Sequence, residues 1–457
     1  MHFHRPLLFK SPLRSIAVLG AVALATIQVA KAEALLLVEA ESGKVLQAEN
    51  ATNPWYPASV TKLMTAYVTL KAVKEGRITL DTLFTVSPTA ASQSPSKMGL
   101  RPGAQVTVDN ALKMMMVKSA NDMAVVLAEG VGGSIDGFSA MMNENANRLG
   151  MTQTHYVNPN GLPAEGHVTS ARDLAILARA IIHDLPEYEY FVHISSIRYG
   201  RRITQNFNKL IGRYPGADGF KTGFICSSGY NLVASATRNG KRLIAVVLGA
   251  SSGQARSIKA IQLLDRGFAN DTLSWLRPTL GTVDSLAPID ASPPDLRDEM
   301  CNGKRHRPAS DDDDTTAANG NSENSGQALA FFSTGQMPAL KPSEILAAAP
   351  APSEPIAVYT GPTRSGPALI AAVAADADAQ AAEAAAHHKK GRHGARKPHE
   401  AAPDEADKGA KSKPVRHASA KPDATAKSAD KPDIKPAKPK AAAKPAKPAP
   451  KSDKSAG

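Results

Sequence analysis

Cysteine is nearly absent: Cys226 and Cys301 are the only two in 457 residues. Two thiols exclude a disulfide-built scaffold and a four-thiolate metal site. Aromatic residues make up only 5% of the chain, and none follows Tyr359. Net charge is almost missing from the first 388 residues, which hold 35 Lys and Arg against 34 Asp and Glu. Of the formal +12, residues 389–457 supply +11, with 19 against 8. A nucleic-acid binder concentrates basic charge on its folded surface, so that class is excluded and the high pI describes a tail. Past the N-terminus, no apolar run approaches the roughly 20 residues of a membrane span. The Ala-rich stretch at 368–386 is broken by Asp376, Asp378, Gln380 and Glu383. No H-E-x-x-H occurs. His155, His167, His183 and His193 lack metal-ligand spacing and read as surface or partly buried residues. No cofactor and no metal are expected.

What is present begins with a leader. Arg5, Lys10 and Arg14 precede a short apolar stretch from Ile16 to Ile27, and Ala30-Lys31-Ala32 is a small-x-small cleavage site. Residues 1–32 thus read as a secretory signal, with an uncleaved anchor as the alternative. Either places the protein outside the cytoplasm, in the periplasm or cell envelope.

Residues 33–270 read as one folded domain. Ala34–Glu39 and Lys44–Gln47 form a hairpin across Glu41-Ser42-Gly43. A buried helix is expected from Ser59 to Val73, and further helices near 108–118, 121–130, 134–149 and 170–184. Short strands follow at Ala217–Thr222, Tyr230–Thr237 and Arg242–Leu248. The last two are joined by Asn239-Gly240, a strong hairpin signal. A helix over Ala255–Phe268 closes the domain. This order implies an α+β fold whose antiparallel sheet the chain leaves and re-enters around a helical insertion. Residues 271–300 read as a linker. Residues 301–457, with the acidic run Asp311–Asp314 and the alternating Lys, Pro and Ala beyond 397, read as low-complexity and disordered.

Three short patterns carry chemistry: Ser59-Val60-Thr61-Lys62, Ser119-Ala120-Asn121 and Lys221-Thr222-Gly223. The first recurs at Ser94–Lys97 and Ser428–Lys431, and the second at Ser322–Asn324, so each is weak alone. Context separates them. Ser59 opens an apolar helix, which sets Ser59 and Lys62 on one face, and K-T-G occurs once, on a strand. A serine hydroxyl needs a base to take its proton. A lysine serves as base when its pKa falls well below about 10.4, and burial and a second cation, here Lys221, both lower it. Ser119 can relay a proton, Asn121 can orient the base or the substrate amide, and Lys221 with Thr222 can hold a carboxylate. The backbone N–H groups of Ser59 and Phe224 supply an oxyanion hole. Singly, each motif also reads as a helix cap or strand end.

A competing design is Gly249-Ala-Ser251-Ser-Gly253, a G-x-S-x-G between strand and helix. The acid and histidine it needs do not follow within the ordered part, so Ser251 reads as a turn or cap residue. Asn158-Pro-Asn160-Gly161-Leu-Pro163 reads as a turn that can border the cleft. Cys301 lies where ordered sequence fades, which favours a buried free Cys226 over a bridge.

The three motifs, in this order, resemble those of the low-molecular-mass penicillin-binding proteins, serine D-alanyl-D-alanine carboxypeptidases. The likeness extends to Tyr56-Pro-Ala-Ser-Val-Thr-Lys-Leu-Met-Thr, Ser119-Ala-Asn-Asp-Met-Ala, Asp218-Gly-Phe-Lys-Thr-Gly and Gly229-Tyr-Asn-Leu-Val-Ala-Ser-Ala. It covers about half of the chain. It implies a β-lactamase/transpeptidase-like fold, with a five-stranded, mostly antiparallel sheet flanked by helices and a helical subdomain. It also implies attack by Ser59 on the penultimate D-Ala of peptidoglycan stem peptides and covalent inhibition by β-lactams. It suggests Arg256 as a partner for the substrate carboxylate, with Lys221, Thr222, Gly223 and Phe224 lining the binding strand. A D,D-endopeptidase or β-lactamase of the same fold, and a silent domain binding cell wall or polyanions, are the alternatives. Two features depart from the family. Phe224-Ile225-Cys226 stands where many members place a polar residue, leaving β-lactam selectivity open. The second β-rich domain and C-terminal amphipathic helix of many members find no counterpart, so loose electrostatic contact of the tail with anionic envelope surfaces is the expected attachment.

Overall fold

The computed structural model describes residues 2, 33–269, 280–302 and 340–392. The rest of the expected leader, the acidic run and the Lys/Pro tail lie outside the described residues. The N-terminal hairpin joins β1 (Ala34–Glu39) to β2 (Val45–Glu49). After a 3-10 turn at Ala58–Thr61, the chain enters α1 (Lys62–Lys74). The helical insertion holds β3 (Leu83–Thr85), α2 (Pro88–Ser92), β4 (Gln105–Thr107), α3 (Val108–Lys118), α4 (Asn121–Gly132), α5 (Ile135–Arg148) and α6 (Ala171–Asp184). Side-chain oxygens of Ser87, Thr107, Ser134 and Ser170 cap four of these helices by accepting from the N3 backbone N–H.

A small hairpin of β5 (Ser196–Tyr199) and β6 (Arg202–Gln205) leads to the sheet strands β7 (Ala217–Ile225), β8 (Gly229–Arg238) and β9 (Lys241–Ala250). The expected Asn239-Gly240 turn is present, with φ of 51° and 75°. These left-handed values suit a two-residue hairpin turn. The main sheet has the order β2-β1-β9-β8-β7, and every neighbouring pair is antiparallel. The five-stranded antiparallel sheet expected from sequence is therefore observed. The next helix, α7 (Gly253–Phe268), is capped by Ser252, so Ser252 rather than Ser251 has the capping role.

The sheet is covered on both sides, and the strand pleat sorts its residues accordingly. In β9, Ile244, Val246 and Leu248 join the core shared with α6, while Leu243, Ala245 and Val247 join the core under α7. β1 divides the same way, with Leu36 and Val38 on one side and Leu35 and Leu37 on the other. Burial on both faces explains why these strands read as unbroken apolar runs.

Beyond Phe268 the sequence expectations need correction. Within the expected linker, Val283 is fully buried, and Lys44 pairs with Thr282. α8 (Arg297–Met300) packs so that the Leu296 N–H donates to Ser227 O at 3.1 Å. That contact brings Cys301 beside Cys226, and the two form a disulfide with Cα atoms 5.7 Å apart. Cys226 is thus bridged, not free. Regular elements are also found inside the expected tail: α9 (Pro342–Ala347), β10 (Ile356–Val358) and α10 (Gly366–Arg392). β10 pairs in parallel with β5, giving a second sheet of order β10-β5-β6. The Thr363 hydroxyl donates to Asp81 and the Gly361 N–H to Gln105 O at 2.7 Å, holding this return segment in place. Among the described residues no helix is long and apolar enough to cross a membrane.

Candidate active site

Ser59 sits in the 3-10 turn ahead of α1, not in the helix proper. Three contacts shape that turn. Asn231 on β8 donates through Nδ2 to the carbonyls of Tyr56 and Pro57, at 3.0 and 3.1 Å, while its Oδ1 accepts from the Gly249 N–H. Gly223 on β7 lies so close that a Cβ there would be 2.7 Å from Ser59 N. Gly161, with φ of 81°, lies against Ala58, and a Cβ there would stand 1.8 Å from the Ala58 carbonyl oxygen. Only glycine fits either approach.

Lys62 is fully buried. Its Nζ lies 2.9 Å from Ser59 Oγ, 2.7 Å from Asn121 Oδ1 and 2.7 Å from the Asn160 carbonyl oxygen. The two carbonyl oxygens can only accept. As an ammonium, Lys62 donates to all three. As an amine it keeps two N–H groups on Asn121 and Asn160 and directs its lone pair at the Ser59 hydroxyl. The geometry serves both protonation states without rearrangement.

The two asparagines are themselves held. Asn121 Nδ2 donates to Ser94 O at 3.0 Å, and Asn160 Nδ2 to Gln93 Oε1 at 2.9 Å. The S-x-x-K repeat at Ser94–Lys97 therefore forms part of the wall, with Ser96 lining the cleft. Ser119 ends α3 in a left-handed conformation, φ 61°, and faces the same cleft. Next to Asn121, the buried carboxylate of Asp122 accepts from the N–H groups of Met98, Gly99 and Met123. Burial pushes its pKa up against those bonds.

The cleft is open to solvent and includes Ser59, Ser119, Asn121, Asn160, Phe207 and Phe224 in its lining. Of the site residues expected from sequence, Ser59, Lys62 and Asn121 are hydrogen-bonded together, and Ser119 and Phe224 share their cleft. Gly223 backs Ser59. Lys221 and Thr222 are buried on β7, and Lys221 Nζ lies 3.2 Å from Thr222 O. The Thr222 hydroxyl is buried without a hydrogen-bond partner. Arg256 approaches from α7 and, like Lys221 and Thr222, is not among the residues lining the cleft. Its Nη1 stands 3.4 Å from the Gly223 carbonyl oxygen, and its guanidinium lies over Tyr230, 5.4 Å from the ring centre. This arrangement supports the strand.

Two residues that sequence reading missed complete the surroundings. Asn231 has the strand periodicity of its neighbours, and nothing local marks it as a clamp. His167, read as surface or partly buried, is 2% exposed. The Val157 N–H donates to its Nδ1 at 2.9 Å, so Nε2 carries the proton, which it gives to Thr61 Oγ1 at 2.9 Å. Burial, with the nearby charges of His155 and Lys62, holds its pKa down to about 3.

The unfolded ring takes up its proton near pH 6.5. Below that value the unfolded chain binds a proton that the folded protein refuses, so stability falls with acid. The loss is up to about 1.4 kcal/mol per pH unit until pH nears the folded value. Denaturant titrations at pH 7, 6 and 5 will show this slope in the parent and a shallower one in His167→Gln. Equal slopes would contradict the assignment.

A family model described as D-alanyl-D-alanine carboxypeptidase matches residues 21–252, half of the chain. The chain is similar to the D-alanyl-D-alanine carboxypeptidase DacC of Escherichia coli, 42% identical over 256 residues, covering 54% of this chain and 64% of that protein. It is 37% identical to DacF of Bacillus subtilis over 247 residues, 52% and 62% of the two chains. The matched part thus spans just under two thirds of these relatives. Among solved structures, the D-alanyl-D-alanine carboxypeptidase DacD of Francisella tularensis superimposes with a TM-score of 0.51 at 30% identity, over 52% of this chain and 70% of that one. Penicillin-binding protein 5 of Haemophilus influenzae gives 0.50 at 36%, over 51% and 70%. With the motif order, the sheet and the Ser59–Lys62 geometry, these matches place the chain in the D-alanyl-D-alanine carboxypeptidase family.

Proposed function

We propose that this protein is a serine D-alanyl-D-alanine carboxypeptidase acting on peptidoglycan stem peptides at the cell envelope, after export by the 1–32 leader. The observation that carries this reading is the placement of Lys62 Nζ 2.9 Å from Ser59 Oγ, with its other donors held by Asn121 and Asn160. Neutral Lys62 takes the Ser59 proton as Oγ attacks the penultimate D-Ala carbonyl. The N–H groups of Ser59 and Phe224 receive the oxyanion. The proton passes through Ser119 to the departing amine, and terminal D-Ala leaves. Water then attacks the acyl-enzyme, giving its proton to Lys62, and Ser59 is regenerated. Lys221 and the unpartnered Thr222 hydroxyl hold the terminal carboxylate. Burial of both residues supports that role, because a charge-assisted bond is stronger away from water. We assign the catalytic unit to residues 33–269 with 280–302, and the segment beyond 393 to loose contact with anionic surfaces.

The test is mass spectrometry after exposure to benzylpenicillin, whose strained lactam mimics D-Ala-D-Ala. One adduct is expected, on the peptide containing Ser59. Labelling at Ser94 or Ser251, or none on folded protein, would overturn the reading.

A further inference from the structure

Two residues of the cleft lining are placed by elements that lie outside the cleft. Phe207 follows the last residue of β6 by two positions. Its segment is closed at the base by the Asn206 N–H, which donates to Ser195 O at 2.8 Å across the β5–β6 hairpin. Ser119 follows the last residue of α3, Lys118, whose carbonyl accepts from the Ser96 hydroxyl at 2.9 Å. The position of Phe207 thus depends on the β5–β6 hairpin, and that of Ser119 on α3.

The return segment grips both elements. Arg213 Nε donates to Ala348 O at 3.0 Å, the Ala351 N–H donates to Gly212 O at 2.6 Å, and the Ser353 and Ser195 hydroxyls lie 2.7 Å apart. The stretch that carries Phe207 is therefore held on both flanks, at Ser195 and at Gly212. β10 then lies along β5, and the three strands pack on α3. Val358 is fully buried in that contact. A two-stranded hairpin is marginal by itself in water, and a third strand is what makes it a stable sheet. Past the strand, the Gly361 N–H reaches Gln105 O on β4, just ahead of α3, and Thr363 reaches Asp81. At the other end, Ile345 and Leu346 of α9 pack on the core under α7. The gripping residues lie well beyond residue 252, where the family match ends.

We propose that residues 348–363 are a brace that positions Ser119 and Phe207 relative to Ser59, so that a segment outside the family-matched part governs the turnover rate. This rests on the carboxypeptidase reading. Two full-length variants test it. Val358→Asp buries an unpaired carboxylate and undocks the strand. Ala351→Pro/Ser353→Ala removes the donor to Gly212 and the partner of Ser195 at two exposed positions, leaving the core untouched. Turnover of a soluble tripeptide-D-Ala-D-Ala substrate is measured at 25 °C and expressed per site labelled by benzylpenicillin, so that unfolded molecules are not counted. Val358→Asp should lower this kcat by about tenfold to a hundredfold, the scale on which a misplacement of about 1 Å is felt. The exposed pair should lower it severalfold, and it decides the matter if Val358→Asp does not fold. Hydrogen exchange should quicken at Ser196–Tyr199 and Asn206–Asn208 in the same variants. Faster exchange or a lower Tm with a parental kcat per labelled site would reduce the brace to a purely structural element and overturn the proposal. Unchanged exchange in folded Val358→Asp would overturn it as well. A parent that neither labels nor turns over would instead overturn the carboxypeptidase reading.

Discussion

Lys62→Ala should acylate with penicillin roughly 10²–10⁴ times more slowly than the parent, the range typical for loss of a general base. The basis is that Lys62 is the group placed to receive the Ser59 proton, at 2.9 Å, and that the other polar partners in the network are carbonyl oxygens. Removing the side chain also leaves Asn121 Oδ1 and Asn160 O without their donor. An unsatisfied buried acceptor costs about 1–3 kcal/mol, so the variant should unfold at lower denaturant while remaining folded at 25 °C. Acylation by a fluorescent penicillin and a denaturant titration on the same preparation separate the two effects. A stability loss with a parental acylation rate would show that Lys62 serves only to hold the loop.

Removing the Cys226–Cys301 bridge should have the largest effect on stability. The bond closes a sequence separation of 75 residues. The chain-entropy relation assigns a loop of that size about 4.5 kcal/mol, within the range of about 2–5 kcal/mol measured for native bridges. In a body of this size, such a loss lowers Tm by about 10 °C. Cys226→Ser/Cys301→Ser and the reduced parent should melt together, well below the oxidised parent. A chain ending before Cys301 should behave like the reduced form, and one ending at Asn302 should keep the bridge. Sequence alone would cut the tail near residue 300, on the wrong side of this cysteine. Tm values indifferent to reductant would refute the role.

Much of the fold was legible because its signals are local. Asn239-Gly240 announces its hairpin, apolar periodicity announces α5 and α6, and unbroken apolar runs announce strands buried on both faces. The Ser59–Lys62 contact was legible for a similar reason: S-x-x-K spacing sets the two side chains one turn apart, and they meet at 2.9 Å. What escaped depends on distant partners. His167 becomes a neutral buried ring only because Val157 and Thr61 close around it. Asn231 clamps a turn 174 positions earlier. The pairing of Cys226 depends on α8 docking under the β7–β8 turn. Arg256, expected as a partner for the substrate carboxylate, stands beside the strand carbonyls of Gly223 and Asn231. Ser59 lies in a 3-10 turn, and the contacts that flank it, from Asn231 on β8 and from Gly161, are distant in sequence.

The parallel pairing of β10 with β5 has a consequence for solubility. Without it, β5 would be the outer strand of its sheet and would present a row of unpaired N–H and C=O groups. Such a row is a template on which another chain can add a strand. Here the protein's own return segment takes that place. Its replacement edge is a poor template: only three residues long, preceded by Pro355, and followed shortly by Pro362. Proline and brevity are the means by which edge strands resist pairing. Residues within a stretch that reads as low-complexity in the sequence thus act as a guard strand, keeping one molecule from growing onto the next.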